Sequence, residues 1–469
     1  MIGVGLDFGT SNSVAAWYDG KHVHLVHLEH LGPVMPTATH IDRELKTLTG
    51  LEAVSQYIDE NRDRLVELTP EIIAKSSLVI KNARSDDPHS YAETETTNVY
   101  GQPWIDRGMP GRLFRGVKRL LANPSIKRLL VFDHPFRLVA LITPVLLRIR
   151  KTIELELNDA LRSVHLGHPV EFEGGENRLA FERLSEACGH AGIHQMSLYP
   201  EPVSATLSYL HETMTTDTGC VLTVDFGGGT MDLSVVEYAG STFRVLATSG
   251  LAIGGDHIDQ LIFRELLFPH LGKGEQWSRV KDGVKIESDF PFEEYEEKLL
   301  NWAVTYTLNQ NQYRSKISDR IRQGGEGAEK FERLQDLITH NYCYLVFQAI
   351  KEAKANLSTT NHTCIDIPEL DLCINFERSQ LDELMNDMLR RIGDLISEVL
   401  DKAGKASTAI DIVIRTGGSS QIAAVKDLLR LRFGEKVIEH DPFTSVAAGL
   451  AIASYHNYQY QDGASDPIS

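Results

Sequence analysis

The sequence predicts a two-lobed α/β protein, each lobe a mixed sheet flanked by helices. Three observations carry that expectation. The chain has 469 residues, more than one typical core accommodates. An apolar run from Cys220 leads into Asp225-Phe-Gly-Gly-Gly-Thr230-Met-Asp232, and an alternating run through Leu233 and Val235 leaves it, the pattern of a β-hairpin. Ile2-Gly-Val-Gly-Leu-Asp7-Phe8-Gly9-Thr10-Ser11-Asn12-Ser13 echoes it with the same apolar strand, the same Asp-Phe-Gly and a hydroxyl-rich turn. Two such units about two hundred residues apart describe a duplicated half-molecule whose hairpins close on one ligand.

Gly227, Gly228 and Gly229 let backbone N–H groups approach an anion and point at it as a nest. Asp225 is a poor neighbour for a phosphate unless a cation stands between them. Taken alone, the glycines read more readily as a tight turn that needs positive φ. The echo at Asp7 turns the reading towards nucleotide phosphates with magnesium.

Composition is that of an ordinary soluble globular chain, 42% apolar and 24% charged. A formal net charge of −18, from 65 acids against 47 bases, argues against a nucleic-acid-binding surface. Cys188, Cys220, Cys343, Cys364 and Cys373 show no metal-ligand spacing and are expected as reduced thiols in a cytoplasmic protein. The first residues enter a strand without a basic leader. The most apolar segment, Leu138 to Ile149, is too short to span a bilayer, so no membrane partner is expected.

Along the chain, residues 1–214 form the first lobe. Its hairpin is followed by a third strand, Val23 to Leu28, and by a loop-rich peripheral subdomain at about 30–110 that includes Arg84-Ser-Asp-Asp-Pro88 and Gly101-Gln-Pro103. A basic cluster, Arg112, Arg115, Lys118, Arg119, Lys127 and Arg128, faces an anionic ligand or forms a solvated helix face. Apolar spacing predicts a helix over 137–162, bent at Pro144, and a second from Glu182 to Ala191; strands fall at Ser163–Leu166 and Met196–Tyr199. Glu201-Pro202 opens a helix through Leu210.

The second lobe, 215–437, repeats the plan: a hairpin turning at Ala239-Gly240, a third strand Arg244–Thr248, then the turn Gly254-Gly255-Asp256 into a helix Ile258–Phe268. A helical insertion follows at about 270–340, in which Tyr295, Leu299, Trp302 and Tyr306 recur at helical spacing. A helix Cys343–Leu357 carries Lys351 and Lys354, with Ser358 after it. Strand Ile410–Ile414 leads to Thr416-Gly417-Gly418-Ser419, a helix Ile422–Phe433 and the strand Val437-Ile438. Residues 438–456 return to the first lobe through a small-residue helix, and 457–469 read as a polar, frayed tail.

Five stretches in order resemble the ATPase domain of the heat shock protein 70 (DnaK-like) family: Gly5-Leu-Asp7-Phe-Gly9-Thr10-Ser11-Asn12, Val117-Lys118-Arg119-Leu-Leu121, Tyr199-Pro-Glu201-Pro202-Val-Ser-Ala205, Asp225-Phe-Gly-Gly-Gly-Thr230-Met-Asp232 and Thr416-Gly417-Gly418-Ser419. The helix around Lys354 and the Asp441-Pro442 to Gly449 segment are similar too. The 30–110 and 270–340 stretches match poorly. The resemblance implies the two-lobed actin-like ATPase fold, a duplicated ribonuclease-H-like motif. With so little chain after Ala453, the truncated bacterial chaperone type without a peptide-binding domain is expected.

What the resemblance implies for the residues is specific. Gly9, Thr10, Ser11 and Asn12 would hold the ATP phosphates from one side, and Gly227, Gly228, Gly229 and Thr230 from the other. Asp7, Glu201 and Asp225 would hold water around Mg²⁺, Lys118 would stabilise charge on the γ-phosphoryl group, and Asp232 would support that network. Gly254, Gly255, Lys351, Lys354, Ser358, Gly417, Gly418 and Ser419 would complete the nucleotide site.

Departures lie at the base end. Ala355 and Gln421 stand where the family usually has arginines, Lys351 stands for a glutamate, and Phe443 stands where an acid is usual. Two stacking contributions of roughly 0.5–2 kcal/mol each are therefore missing, which predicts weak or less base-selective binding. The implied function is slow Mg-dependent ATP hydrolysis driving lobe closure, with client or co-chaperone proteins as partners. Alternatives are a nucleotide-dependent scaffold or sensor with little turnover, a small-molecule kinase, and an actin-like filament former.

Overall fold

A computed structural model describes residues 2–80, 93–106, 108–132, 134–173, 176–213, 218–239, 242–281, 284–460 and 465–467. The loop read at Arg84–Pro88 and the turn residue Gly240 lie outside the described residues.

Both lobes are built on the same strand order. In the first, the hairpin Gly3–Phe8/Asn12–Tyr18 carries Val23–Leu25 on its outer edge, and Val164–His168 and Met196–Pro200 join the other side in parallel. In the second, the hairpin Thr218–Phe226/Met231–Ala239 carries Thr242–Leu251, and Ile412–Thr416 and Val437–Glu439 join in parallel. Asp7 and Asp225 occupy matching places near the ends of the two central strands. Parallel strands covered on both faces are buried throughout, and Thr218–Phe226 is buried from Cys220 onwards.

Two helices, Glu201–Thr213 and Ser445–His456, lie between the sheets in a shared core with Val14, Ala16, Val221, Val236 and Ile414. Small residues allow that approach. A side chain at Gly5 would meet the Ala447 carbonyl at 2.3 Å, and one at Gly449 would meet the Ser204 carbonyl at 1.8 Å. The first lobe has its own core around the Leu138–Leu157 helix. This helix is shorter than its apolar spacing predicts because Asn158 takes the left-handed conformation at φ 50°. The second helix starts earlier, at Asn177.

The two stretches with the poorest resemblance meet over the cleft. Ala53, Val54, Tyr57, Val66 and Met109 share a core with Trp302 and Tyr306. Val66 N–H donates to the Asn309 carbonyl at 2.8 Å, Asn309 Nδ2 to the Arg64 carbonyl at 2.8 Å, and Asp63 N–H to the Thr339 carbonyl at 2.9 Å. Together they roof the cleft between the lobes.

Several expectations need correction. Gly101-Gln-Pro103 is not a loop but part of strand Glu93–Asp106, at a register shift opposite Pro70-Glu71, where a missing proline N–H costs the ladder nothing. The insertion is not wholly helical: it opens with the hairpin Gln276–Lys281/Val284–Asp289. Its helix stops at Leu299, before Trp302 and Tyr306, and Asn301 Oδ1 accepts from the Ala303 N–H in a local turn that competes with helix. The tail expected to fray pairs Ser465–Pro467 with the edge of strand Thr242–Leu251. Cys364 and Cys373 are not free thiols: the hairpin His362–Ile367/Leu372–Glu377 brings their Cα atoms to 6.1 Å and they are bonded, while Cys188, Cys220 and Cys343 are free and buried. The basic cluster is not one helix face; it spreads over strand Gly111–Arg115, a 3₁₀ turn Val117–Leu120 and strand Arg128–Val131. No helix among the described residues is long and apolar enough to cross a membrane.

The close helix–helix contact gives a stability prediction. Gly449→Ala should lower the unfolding free energy by about 1–3 kcal/mol, because its methyl group meets backbone that no rotamer can move. Denaturant unfolding checks this; a loss within error of zero would show that the two helices can separate.

Candidate functional site

A cavity of about 560 Å³ lies between the lobes under the roof. The two hairpin turns form its floor from opposite sides. They touch: a side chain at Gly228 would come 3.1 Å from Ser11 Oγ, and one at Gly229 would come 3.1 Å from Thr10 Oγ1. Glycine lets the second turn come this close to the first without displacing the Ser11 and Thr10 hydroxyls. Gly417, at φ +81°, bends the chain in behind Phe226, where a Cβ would meet that carbonyl at 2.4 Å.

The cavity brings together nearly all the predicted residues. Asp7, Gly9, Thr10, Ser11, Asn12, Lys118, Glu201, Asp225, Gly227, Gly228, Gly229, Thr230, Gly255, Lys351, Lys354, Ser358, Gly417, Gly418 and Ser419 line it. Two do not. Gly254 lies behind the glycine loop, where its neighbours Gly255 and Asp256 donate N–H groups to the carbonyls of Gly227 and Gly228 at 3.0 and 2.9 Å. It buttresses the loop. Asp232 is buried behind the floor and accepts from the Val170 N–H at 2.7 Å.

The electrostatics are those of a crowded acidic floor. Lys118 Nζ donates to Glu201 Oε1 at 2.7 Å, and both are buried. Burial, then the neighbouring Glu201 charge, pushes the Asp7 carboxyl up to about 7, against the pull of Lys118. Asp225 is held well above the ordinary carboxylate value by burial and by Glu201, Asp232 and Asp7. Burial and Glu201 also push Asp232 up to about 7. One lysine thus stands against several buried acids, and a divalent cation among Asp7, Glu201 and Asp225 would relieve the imbalance.

Two ion pairs at the cleft, one between the lobes and one within the second, carry no sequence signature. Asp256 accepts from Arg119 Nη2 at 2.7 Å and from Ser11 Oγ at 3.2 Å, tying the second lobe to the first. Lys354 pairs with Asp259. Arg119 belongs to the basic cluster and Asp256 to the glycine turn, but 137 residues separate them. At the other end, Ala355, Gln421, Ile422, Pro442, Phe443 and Val446 line the wall. Gln421 Nε2 is buried without a hydrogen-bond partner, and Phe443 remains 57% exposed. An orphaned donor beside an open aromatic face suits a planar, hydrogen-bonding ring.

The Hsp70 protein family model matches residues 131–280 and 330–455, together more than half of the chain. The chain belongs to the Hsp70 family. It is 22% identical over 459 residues to the mitochondrial heat shock 70 kDa protein of Solanum tuberosum, covering 96% of this chain and 54% of that protein. It is also 22% identical to the chaperone protein DnaK of Emiliania huxleyi, with 96% and 59% covered, and to the chaperone protein HscA homolog of Haemophilus influenzae (strain PittEE), with 96% and 57% covered. This Hsp70-family chain therefore spans between 54% and 59% of the length of these relatives. The family has the actin-like ATPase fold, and the matched sheet orders of the two lobes fit it. The family model leaves 281–329 unmatched, inside the insertion that roofs the cleft.

The raised acids set a pH dependence. A carboxyl whose folded-state value exceeds its unfolded value favours folding when protonated. The contribution of Asp7 is full below the ordinary 3.8 and is lost as pH rises through about 7. Metal-free protein should therefore melt at progressively lower temperature across that interval, and Asp7→Asn should flatten the slope. A thermal-unfolding series with unchanged slope in the variant would show that Asp7 is not the titrating group.

Proposed function

We propose that this chain binds ATP with magnesium in the cleft and hydrolyses it slowly, closure of the lobes coupling hydrolysis to the grip on a protein partner. The observation that carries the reading is the acidic floor: Asp7, Glu201 and Asp225 converge with one balancing lysine beneath two turns that abut. A cavity of about 560 Å³ is the size of a small-molecule site. Family membership and the names of the relatives support the same reading.

In this reading the N–H groups of Gly228, Gly229 and Thr230 and the hydroxyl of Thr10 hold the phosphates from the two lobes, the Gly227 N–H closing the turn on the Thr230 carbonyl and the Ser11 hydroxyl reaching the phosphates by turning away from Asp256. Asp7, Glu201 and Asp225 would hold the hydrated metal, which when bound supplies charge neutralisation at the phosphates. Lys118, kept in place by Glu201, stabilises negative charge at the reacting end. Asp232 holds the Val170 backbone and supports the floor from behind. Gln421 and Phe443 take the base in place of the two arginines, Phe443 by stacking and Gln421 by hydrogen bonding. Client or co-chaperone contact is part of the proposal through the relatives named as chaperones.

A second reading, a nucleotide-dependent scaffold with little turnover, is favoured by the roof. Opening the cleft has to break the Val66–Asn309 and Asp63–Thr339 backbone bonds, which slows product release. ATP bound intact for hours would select it.

Phosphate release measured with and without Mg²⁺ tests the main reading. Lys118→Ala should lower turnover by about 10²–10³-fold, and Asp7→Asn should abolish the response to Mg²⁺. Unchanged rates in both variants would sink the catalytic assignments. Phe443→Ala should weaken nucleotide binding by about 1–3 kcal/mol in calorimetry with turnover at saturation little altered. Nanomolar, ATP-selective affinity that survives this change would place the base elsewhere.

A further inference from the structure

A second cavity, of about 270 Å³, adjoins the first, and Ser11, Asp256, Asp259 and Lys351 belong to the walls of both. Its remaining walls come largely from stretches that the family model does not match. Arg115 and Arg119 lie before residue 131, and Leu300 to Trp302 lie within 281–329. The chamber exists because the roof closes over the cleft.

Three basic side chains line it. Arg119 is committed to Asp256 at 2.7 Å, and Lys354, in the adjoining cavity, is committed to Asp259. Among the described residues, Arg115 and Lys351 have no carboxylate within 4.0 Å. The Arg115 guanidinium lies over the Trp302 ring, 4.8 Å from its centroid, a seat that holds the cation without neutralising it. Both cations face the same carboxylate: against the upward push of burial, Arg115, Arg119, Lys351 and Lys354 hold Asp256 below its ordinary value. Burial, with the Arg115 and Lys354 charges, lowers Lys351 despite Asp259 and Asp256. Two half-buried cations that repel one another are stabilised when an anion takes the space between them.

We propose that this chamber is an anion subsite that takes a phosphate group, as inorganic phosphate or a small phosphate monoester, between Arg115 and Lys351. The volume suits a ligand of a few heavy atoms rather than a second nucleotide. One cation comes from each lobe, so an anion bound there ties the lobes together and favours closure on whatever the main cavity holds. The proposal rests on the nucleotide reading only for what lies next door.

Calorimetric titration of the full chain, saturated with a non-hydrolysable ATP analogue, tests it with inorganic phosphate and, separately, with glycerol 1-phosphate. One equivalent should bind. Arg115→Met should weaken it about tenfold or more, and Arg115→Lys should restore part of the loss. Melting curves check that each variant folds, and Lys351→Gln, whose residue also lines the main cavity, gives a second arm titrated without the analogue. Tighter binding of glycerol 1-phosphate would support a monoester as the occupant, and tighter binding of inorganic phosphate would support the free ion. Failure of both ligands to bind, or binding indifferent to Arg115→Met and Lys351→Gln, overturns the proposal. Arg115 lines only the second cavity, which keeps the two readings separable. A chain that takes no nucleotide but takes one phosphate through Arg115 retains the subsite and loses the nucleotide; a chain that takes nucleotide but no phosphate does the reverse.

Discussion

Asp7, Glu201 and Asp225 share the floor of one cleft with a single ammonium, Lys118, and most of the structure serves that arrangement. Buried like charges are tolerated only where protons, a partner or a metal offset them. The fold supplies one partner, holding Lys118 on Glu201 from a 3₁₀ turn that reaches across from strand Gly111–Arg115. The rest of the charge is left for protons or a cation to answer. Two sheets of the same order bring the acids together, because Asp7 and Asp225 hold equivalent places on the two central strands. The packed pair of helices, touching at Gly449, sets the distance between those sheets.

What is legible in the sequence is local. Each Asp-Phe-Gly hairpin announces itself by alternation on both sides of a turn, so the floor is written in the order of the residues themselves. The long apolar spacing of the Leu138–Leu157 helix is readable for the same reason, although only the backbone conformation of Asn158 says where it stops. Side chains whose partners lie far along the chain are not readable. Arg119 meets Asp256, and Lys354 meets Asp259 across 95 residues, so neither pairing has a spacing signature. Cys364 and Cys373 come together through a hairpin register that their separation of nine residues does not specify. A place in a glycine turn puts Gly254 at the ligand, and only the hydrogen bonds of its neighbours reveal a buttress.

The segments around 30–110 and 270–340 read in the sequence as independent decorations, one on each lobe. They pack on each other. Tyr57 donates to the Ala303 carbonyl, Arg64 lies over Tyr306 and Arg115 over Trp302. The roof also changes the mechanics of the cleft. In a hinge, closure must be weak enough to reverse, and here opening has to break paired backbone groups as well as separate apolar side chains.

That constraint bears on how the base end works. If the cleft opens reluctantly, selectivity has to arise from the wall a ligand meets on entry as well as from the depth of the site. Guanidinium planes grip a base from both faces by stacking and charge. Phe443 offers one face without charge, and the buried Gln421 amide offers a directional donor that is satisfied only by an acceptor placed to receive it. Lys351 lines both cavities, and in the proposed reading its charge acts on anionic groups and not on the ring. On the proposed reading recognition moves from the base towards the phosphates, and the same lysine would couple the main cavity to an anion beside Arg115.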